Sequence, residues 1–291
     1  MRGIPESIWR TTAAGSPPSR GAKRCPKHKR TKEKTLVIRE YGSENPRHLV
    51  FFQGSCEPWQ EFRPAAEGLA SRFHVMLVTP DGHDPEEHSD FISVEKTVDD
   101  TARWLKARGI DRLDALYGLS FGGGMIVRFL ATQDIPVDRV IIDAGTAPYR
   151  YPKWICRLIG VRDFLMLKLA RSSVKLMEMA FPPERFARDP NNAAGEYEQI
   201  RQYLRGYSDR TIWNIFWSAN NYAVPETPPE LDTRIQFWVG TDEWSSRFRD
   251  LKWTLQYLPQ TELVRIPNMM HGEFVLMHPE AFAEKALAFL E

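Results

Sequence analysis

The 291-residue chain has few cysteines, no long apolar run and almost no net charge. Its three cysteines, Cys25, Cys56 and Cys156, form an odd and sparse set, which predicts reduced thiols rather than a disulfide framework. No apolar segment approaches the ~18 residues that a membrane-spanning helix needs. Because the N-terminus also lacks the apolar core of a secretory signal, we expect a cytoplasmic protein with no stable membrane insertion.

The overall charge of +1 conceals an uneven distribution of charged residues. Residues 1–34 contain ten Lys or Arg and two Glu, a net charge of +8, so the rest of the chain carries −7. Phosphate contacts need clustered cations, and we therefore expect no nucleic-acid partner for the main domain. The basic segment is rich in Ser, Pro and Gly, which predicts a disordered tail, with contact to an anionic surface as its alternative role.

Beyond this tail, short β-rich runs alternate with helix-like stretches. The predicted strands are Thr35–Tyr41, His48–Gln53, His74–Thr79, Asp114–Gly118, Val140–Ala144, Ile235–Gly240 and Glu262–Ile266. This alternation predicts an α/β fold with a mostly parallel central sheet and helices on both faces. Residues 146–233 contain no convincing strand, so we interpret them as a helical insertion between core segments 35–145 and 234–291.

The strongest chemical motif is the G-x-S-x-G run Gly118-Leu119-Ser120-Phe121-Gly122. A predicted strand leads into it and a predicted helix leaves it, which is the context of a nucleophile elbow. Glycines at such a turn let the chain reverse without Cβ clashes, so the serine hydroxyl projects clear of the sheet. The amide N–H of Phe121, at the helix start, is then placed to stabilise an oxyanion.

A serine hydroxyl needs a base, and the base needs an anionic partner. His271 is the best-placed histidine, because it lies between the last predicted strand and the last helix and the chain order is nucleophile, acid, base. Two carboxylates, Asp242 and Glu243, follow the strand Ile235–Gly240, and we favour Glu243 over Asp242 as the acid. Asp143 is a third candidate, but its position inside a strand favours a buried structural role.

Together these residues resemble the α/β-hydrolase superfamily, over roughly Thr35 to Glu291. Members usually place the acid three residues beyond the glycine that ends its strand, which here selects Glu243. The resemblance also implies a helical lid at residues 146–233, no cofactor and a second oxyanion donor at the Ser55 backbone N–H, or alternatively at Gly54. One departure is that Gln53-Gly54 stands where many members have His-Gly.

This pattern predicts a serine hydrolase that cleaves a carboxylic ester, or a related acyl bond, of a small apolar substrate through an acyl-enzyme. Two alternatives stay open: a non-catalytic binding or sensing protein on the same fold, and a lyase, peptidase or C–C hydrolase using the same triad. The polar loop Asp81–Asp90 gives no reason for metal ligands to converge, so no metal is expected. The sequence does not indicate an oligomeric state.

Two aromatic and apolar stretches fall within residues 146–233. We expect the apolar face of Trp154–Leu169 to pack on the core and line a pocket, with membrane docking as the alternative. Trp213, Phe216, Trp217 and Tyr222 are spaced for one helical face and are expected to form the interior of the lid.

Overall fold

A computed structural model describes residues 36–148, 151–243, 245 and 247–291. The predicted basic tail, with Cys25, lies outside these residues. The other two cysteines, Cys56 and Cys156, are free thiols.

One seven-stranded sheet organises the fold, in the strand order β1-β3-β2-β4-β5-β6-β7. Strands β2 to β7 run parallel, and β1 pairs antiparallel with β3 at one edge. The predicted α/β fold with a mostly parallel central sheet is therefore confirmed. The strands are β1 Val37–Tyr41, β2 His48–Phe52, β3 His74–Thr79, β4 Leu113–Leu119, β5 Val137–Asp143, β6 Arg234–Gly240 and β7 Glu262–Ile266.

Helices cover both faces of this sheet. Alternate side chains of β2 divide the core: Leu49 and Phe51 pack in one buried cluster, and Val50 and Phe52 in the other. Helices α1 and α11 contribute to the first cluster, and α2 and α3 to the second. The α-helices of the described residues are α1 Trp59–Leu69, α2 Val94–Ala107, α3 Phe121–Thr132, α4 Lys153–Ala170, α5 Val174–Ala180, α6 Pro183–Phe186, α7 Ala193–Arg205, α8 Asp209–Ala219, α9 Arg247–Tyr257, α10 Glu273–Met277 and α11 Pro279–Leu290.

The parallel strands bring their carboxyl ends to one edge of the sheet. The loops that follow β2, β4, β6 and β7 carry Ser55, Ser120, Glu243 and His271 respectively. In open α/β sheets this edge is where ligands and reacting groups collect. Four segments that are distant in sequence therefore converge on one region.

Helices α4 to α8 lie between β5 and β6, as expected for residues 146–233; their role as a lid stays a prediction. The expectation that the apolar face of Trp154–Leu169 packs on the core is wrong for the outer side of α4. Trp154 is 64% exposed and Leu158 is 62% exposed, although Phe164 packs against the core. The helix carries apolar residues on two sides, and only one side can meet the core.

The aromatic set on α8 is partly buried. Trp213 and Trp217 stack with ring centroids 6.3 Å apart, and Phe216 packs against the core cluster. Tyr222 lies beyond the last residue of α8, is buried, and donates a hydrogen bond to the Thr146 carbonyl oxygen at 2.8 Å. Of the helices in the described residues, none combines the length and the apolar character required to cross a membrane.

Candidate active site

Ser120 occupies a sharp turn between β4 and α3. Its backbone has φ +52° and ψ −107°, a conformation that residues other than glycine rarely adopt. A β-carbon at Gly118 would lie 2.6 Å from the Gly122 carbonyl oxygen, and one at Gly122 would lie 2.2 Å from the Phe52 carbonyl oxygen. The two motif glycines are therefore required by close approach of backbone to backbone.

Three backbone hydrogen bonds hold Ser120 in this conformation. Its N–H donates to the Asp143 carbonyl oxygen at 2.7 Å, and its own carbonyl accepts from the N–H groups of Thr146 at 3.0 Å and Gly124 at 3.3 Å. Strained residues persist only where their surroundings over-determine them, and they cluster at functional sites. The turn thus has the geometry expected of a nucleophile elbow.

His271 and Glu243 meet directly. The imidazole Nδ1 lies 3.1 Å from Glu243 Oε2, and the other carboxylate oxygen of Glu243 accepts a hydrogen bond from the Gly240 N–H at 2.9 Å. The Glu243 side chain is 2% exposed and that of His271 is 33% exposed. A carboxylate at Nδ1 favours a proton there, which leaves the Nε2 lone pair free to act as a base.

The two other candidate acids face other partners. Asp242 forms an ion pair with Arg185 at 2.9 Å and is 41% exposed. Asp143 is buried and accepts a hydrogen bond from the Tyr117 hydroxyl at 2.7 Å. Burial, with the nearby Glu243 carboxylate adding to it, raises the pKa of Asp143 to about 7. Geometry therefore brings Glu243, and not Asp242, to the imidazole.

Ser120, His271 and Ser55 share the wall of one pocket with a volume of about 320 Å³. Much of the remaining wall is apolar and comes from the helices between β5 and β6, with Leu167, Phe181 and others. Among the described residues, Ser120 and His271 form no hydrogen bond with each other. Catalytic hydrogen bonds are often long in ligand-free enzymes and shorten when substrate binds.

Of the two predicted oxyanion donors, Phe121 directly follows Ser120 and Ser55 lines the same pocket. Phe121 is the first residue of α3, so its N–H has no acceptor within that helix. Ser55 lies in the loop after β2, against the pocket. Leu119 packs near Gly54: a β-carbon added to Gly54 would lie 3.1 Å from the Leu119 side chain. The loop after β2 and the elbow are therefore in close contact.

Sequence reasoning missed Glu57 and Cys56, two further residues in the wall of this pocket. Burial raises the pKa of the Glu57 carboxyl to about 8, and the neighbouring Glu61 carboxylate adds to the effect. Burial also raises the pKa of the Cys56 thiol to about 12, and Cys56 has a φ of +73°. The only sequence indication that Glu57 lies in the pocket wall was its position two residues after Ser55, the predicted oxyanion donor.

The polar loop Asp81–Asp90 serves structural roles. Asp81 pairs with Lys96 at 2.8 Å, and Asp84 pairs with Arg39 at 2.8 Å. No group of three or more metal-ligating side chains occurs in the part of the chain that the structure describes.

His83, in the same loop, is completely buried and stacks on the Phe121 ring at 5.8 Å. Burial lowers the pKa of this histidine to about 4, so its ring is neutral near pH 7. The neutral ring therefore packs against Phe121, the first residue of α3. His74 lies 2.8 Å from Glu40, and His278 is the residue before α11 and makes no side-chain capping hydrogen bond there. Neither histidine lines the pocket.

A family model for the alpha/beta hydrolase family matches residues 49–285. The chain belongs to the α/β-hydrolase family. Membership in this family supports a hydrolase, in agreement with the geometry of the elbow. None of the curated proteins that were compared with this α/β hydrolase matches it.

Solved structures with the same fold are numerous, and three are representative. A thermophilic esterase from Thermogutta terrifontis has a TM-score of 0.66 at 18% identity, covering 88% of this chain and 92% of its own. A crystal structure described with carboxylesterases of Nitrososphaera gargenis has a TM-score of 0.65 at 18% identity, covering 88% of this chain and 93% of its own. The enol-lactonase from Burkholderia xenovorans LB400 has a TM-score of 0.63 at 18% identity, covering 88% of this chain and 96% of its own. Identities this low establish the fold alone.

Proposed function

We propose that this α/β hydrolase is a serine hydrolase that cleaves a carboxylic ester, or a related acyl bond, of a small apolar substrate. The observation that carries the proposal is the 3.1 Å contact of His271 Nδ1 with Glu243 Oε2, beside the pocket that also holds Ser120. A hydroxyl, an imidazole and a buried carboxylate at one strand edge are the groups that acyl transfer requires.

In the proposed first step, the Ser120 hydroxyl attacks the substrate carbonyl while His271 Nε2 takes the hydroxyl proton. Glu243 keeps the imidazole in the required tautomer and stabilises the imidazolium that forms. The C–O bond of the ester then breaks, and His271 gives the proton to the departing alcohol oxygen. This leaves the acyl group esterified to Ser120.

In the second step a water molecule attacks the acyl-enzyme, with His271 again as the base, and releases the carboxylic acid. The negative charge that develops on the carbonyl oxygen in both steps needs donors placed in advance. The backbone N–H groups of Phe121 and Ser55 are assigned this role. The mechanism calls for no organic cofactor.

The pocket wall supports a small, largely apolar substrate. Leu119, Leu204, Phe216 and Leu276 are among the side chains that line it, and apolar walls of this kind bind apolar groups by excluding water. The volume of about 320 Å³ lies at the lower end of the range for small-molecule sites. A long polymeric substrate would not fit within it.

The proposal is tested by a substrate panel of p-nitrophenyl esters, thioesters and anilides, run on the wild-type protein and on Ser120→Ala. We expect short and medium esters to be the best substrates. Ser120→Ala is expected to lower kcat by about 10⁴-fold or more, because removal of the nucleophile abolishes the covalent route. Retention of ester hydrolysis by this variant would refute the assignment of Ser120.

A fluorophosphonate probe distinguishes this enzyme from a binding protein on the same fold. The probe reacts with a serine whose proton is removed by a neighbouring base, so the wild type should be labelled and Ser120→Ala should not. A folded wild-type protein that binds apolar esters without being labelled would favour the binding function instead.

A further inference from the structure

One side of α4 exposes apolar side chains along the full length of the helix. The positions are spaced by three or four residues, which places them on a single face. This outer α4 face consists of Trp154 (64% exposed), Leu158 (62%), Val161 (43%), Leu165 (58%) and Leu169 (51%). At 1.5 Å per residue, the 18-residue helix extends roughly 27 Å.

The opposite side of the same helix already has its partners. Cys156 and Gly160 are buried, and a β-carbon at Gly160 would lie 3.7 Å from the Trp213 ring. Leu167 and Ala170 line the pocket that contains Ser120. A surface helix of a monomer normally presents a polar outer side, and a contiguous apolar patch rimmed by polar residues marks an interaction site.

Cations are concentrated around this face. Residues 153–180 contain six Lys or Arg and two acidic residues, a net charge of +4, whereas the other residues from 35 to 291 carry −11. Lys168 and Arg171 are paired with Asp209. Arg157 and Lys175 are exposed and, among the described residues, have no ion-pair partner.

We propose that the outer α4 face docks on the surface of an anionic lipid membrane. The helix lies in the plane of the interface, with its leucines in the acyl boundary and Arg157 and Lys175 reaching the lipid phosphates. Trp154, at one end, has the amphipathic ring that favours the headgroup level. The attachment is peripheral, and it does not depend on which bond the active site cleaves.

Exposed apolar side chains also occur beside the substrate pocket. Phe181, directly after α5, is 39% exposed and also lines the pocket, and Met179 beside it is 81% exposed. An apolar substrate dissolved in the membrane therefore has an apolar route toward Ser120. This consequence, unlike the docking itself, rests on the proposed hydrolase function.

Charge disfavours a second copy of the chain as the occupant. A two-fold contact between two outer α4 faces would bring the same patch of each copy together. The net charge of +4 in residues 153–180 of each copy would then be brought to the same interface, where like charges repel and an apolar contact screens them weakly. An anionic lipid surface offers the opposite charge.

The test is co-sedimentation of the full chain with vesicles of phosphatidylcholine alone, or of phosphatidylcholine and phosphatidylglycerol in equal parts. We expect binding to the anionic vesicles and little binding to the neutral ones. The double variant Leu158→Ser and Leu165→Ser should lower the partition coefficient at least about tenfold, since two exposed apolar side chains no longer enter the lipid. Arg157→Glu should lower it by about tenfold on anionic vesicles only.

The matched control is Leu263→Ser with Arg265→Glu on β7, because Leu263 is 39% exposed and lies on an edge strand of the sheet rather than on α4. This control should bind like the wild type, and so separates α4 from any contribution of the basic segment 1–34, which all variants retain. Equal binding of the α4 variants and the wild type, equal wild-type binding to both vesicle types, or no wild-type binding would overturn the proposal. So would a wild-type dimer in light scattering that the α4 double variant dissociates.

Discussion

Helices α3 and α4 differ greatly in how much of each is covered by the rest of the fold. Nine of the 12 residues of α3 are buried, whereas only Cys156 and Gly160 are buried among the 18 of α4. The first helix follows the turn at Ser120 and is covered by the rest of the fold over most of its surface. The second forms part of the pocket wall with one side and meets solvent with the other. In the proposed mechanism, the nucleophile is therefore held by a closely packed helix, and part of the substrate pocket by a more weakly packed one.

After Ser120→Ala, the largest effect on activity should come from Glu243. Glu243→Gln keeps the size of the side chain but presents an amide to Nδ1, which permits the wrong imidazole tautomer. We expect kcat for an ester to fall by about 10³–10⁴-fold, as for the equivalent change in serine proteases.

Asp242→Asn provides the control for Glu243→Gln. It changes the adjacent carboxylate, which pairs with Arg185 rather than with the imidazole, and should alter kcat by less than about threefold because exposed pairs contribute little. A larger loss in Asp242→Asn than in Glu243→Gln would reverse the assignment of the acid.

Two identical substitutions compare the packing of the two helices. Gly122→Ala places a β-carbon 2.2 Å from the Phe52 carbonyl oxygen, so backbone must move, and we expect a loss of about 3 kcal/mol or more in the free energy of unfolding. In Gly160→Ala the new methyl meets only the Trp213 ring at 3.7 Å, and the higher helix propensity of Ala should stabilise by about 0.5–1 kcal/mol. Urea unfolding of both variants measures the difference; similar losses would show that α4 is as tightly packed as α3.

The same difference explains what the sequence could predict. The sequence could predict that Ser120, Glu243 and His271 lie at the same edge of the sheet, because strand ends, glycines and chain order constrain where such groups lie; their roles stay a prediction. The position of β3 between β1 and β2 was not, because strand order depends on long-range pairing. The exposed side of α4 was also missed, since apolar periodicity shows that faces exist but not which of two apolar faces meets the core.

Glu57 provides a pH-dependent test of the pocket wall, which residues near α3 and residues of α4 form together. Its pKa is raised to about 8 from 4.5, so the folded state favours the protonated carboxyl. The resulting contribution to stability is complete below pH 4.5 and is lost as the pH rises toward 8. Glu57→Gln removes this titration. As the pH rises from 5 to 9, we expect the free energy of unfolding of the variant to increase by about 2 kcal/mol relative to that of the wild type.

Thermal unfolding of both proteins across this pH range measures the effect for Glu57. The comparison below pH 4.5 is the internal control, because the Glu57 carboxyl is then mostly protonated in both the folded and the unfolded chain and the two proteins should differ little. A constant difference at all pH values would mean that the carboxyl ionises as freely in the folded chain as in the unfolded one. The free energy of ionising Glu57 would then be the same in the folded and the unfolded chain.

The smallest predicted effect concerns Arg185, which ties α6 to the segments that follow β6 and β7. From α6 its guanidinium contacts Asp242 at 2.9 Å, Glu273 at 2.6 Å and the Asn268 carbonyl oxygen at 2.6 Å. Asp242 precedes Glu243, and Glu273 and Asn268 flank His271, so these contacts hold both loops of the proposed acid and base. Arg185 therefore acts as a positioning residue that does not itself touch the reacting atoms.

We expect Arg185→Ala to lower kcat for an ester about three- to tenfold, because the His271 loop becomes less ordered while the pocket wall remains. Arg201→Ala is the matched control: its ion pair with Glu198 lies within α7 and joins no two elements, so kcat should change less than about twofold. Moderate salt should lower the wild-type rate less than Arg185→Ala does, since salt screens the partly exposed Asp242 pair but has little effect on the pair with Glu273, whose side chain is 6% exposed. If Arg185→Ala raised KM with kcat unchanged, the arginine would shape substrate binding rather than the alignment of Glu243 and His271.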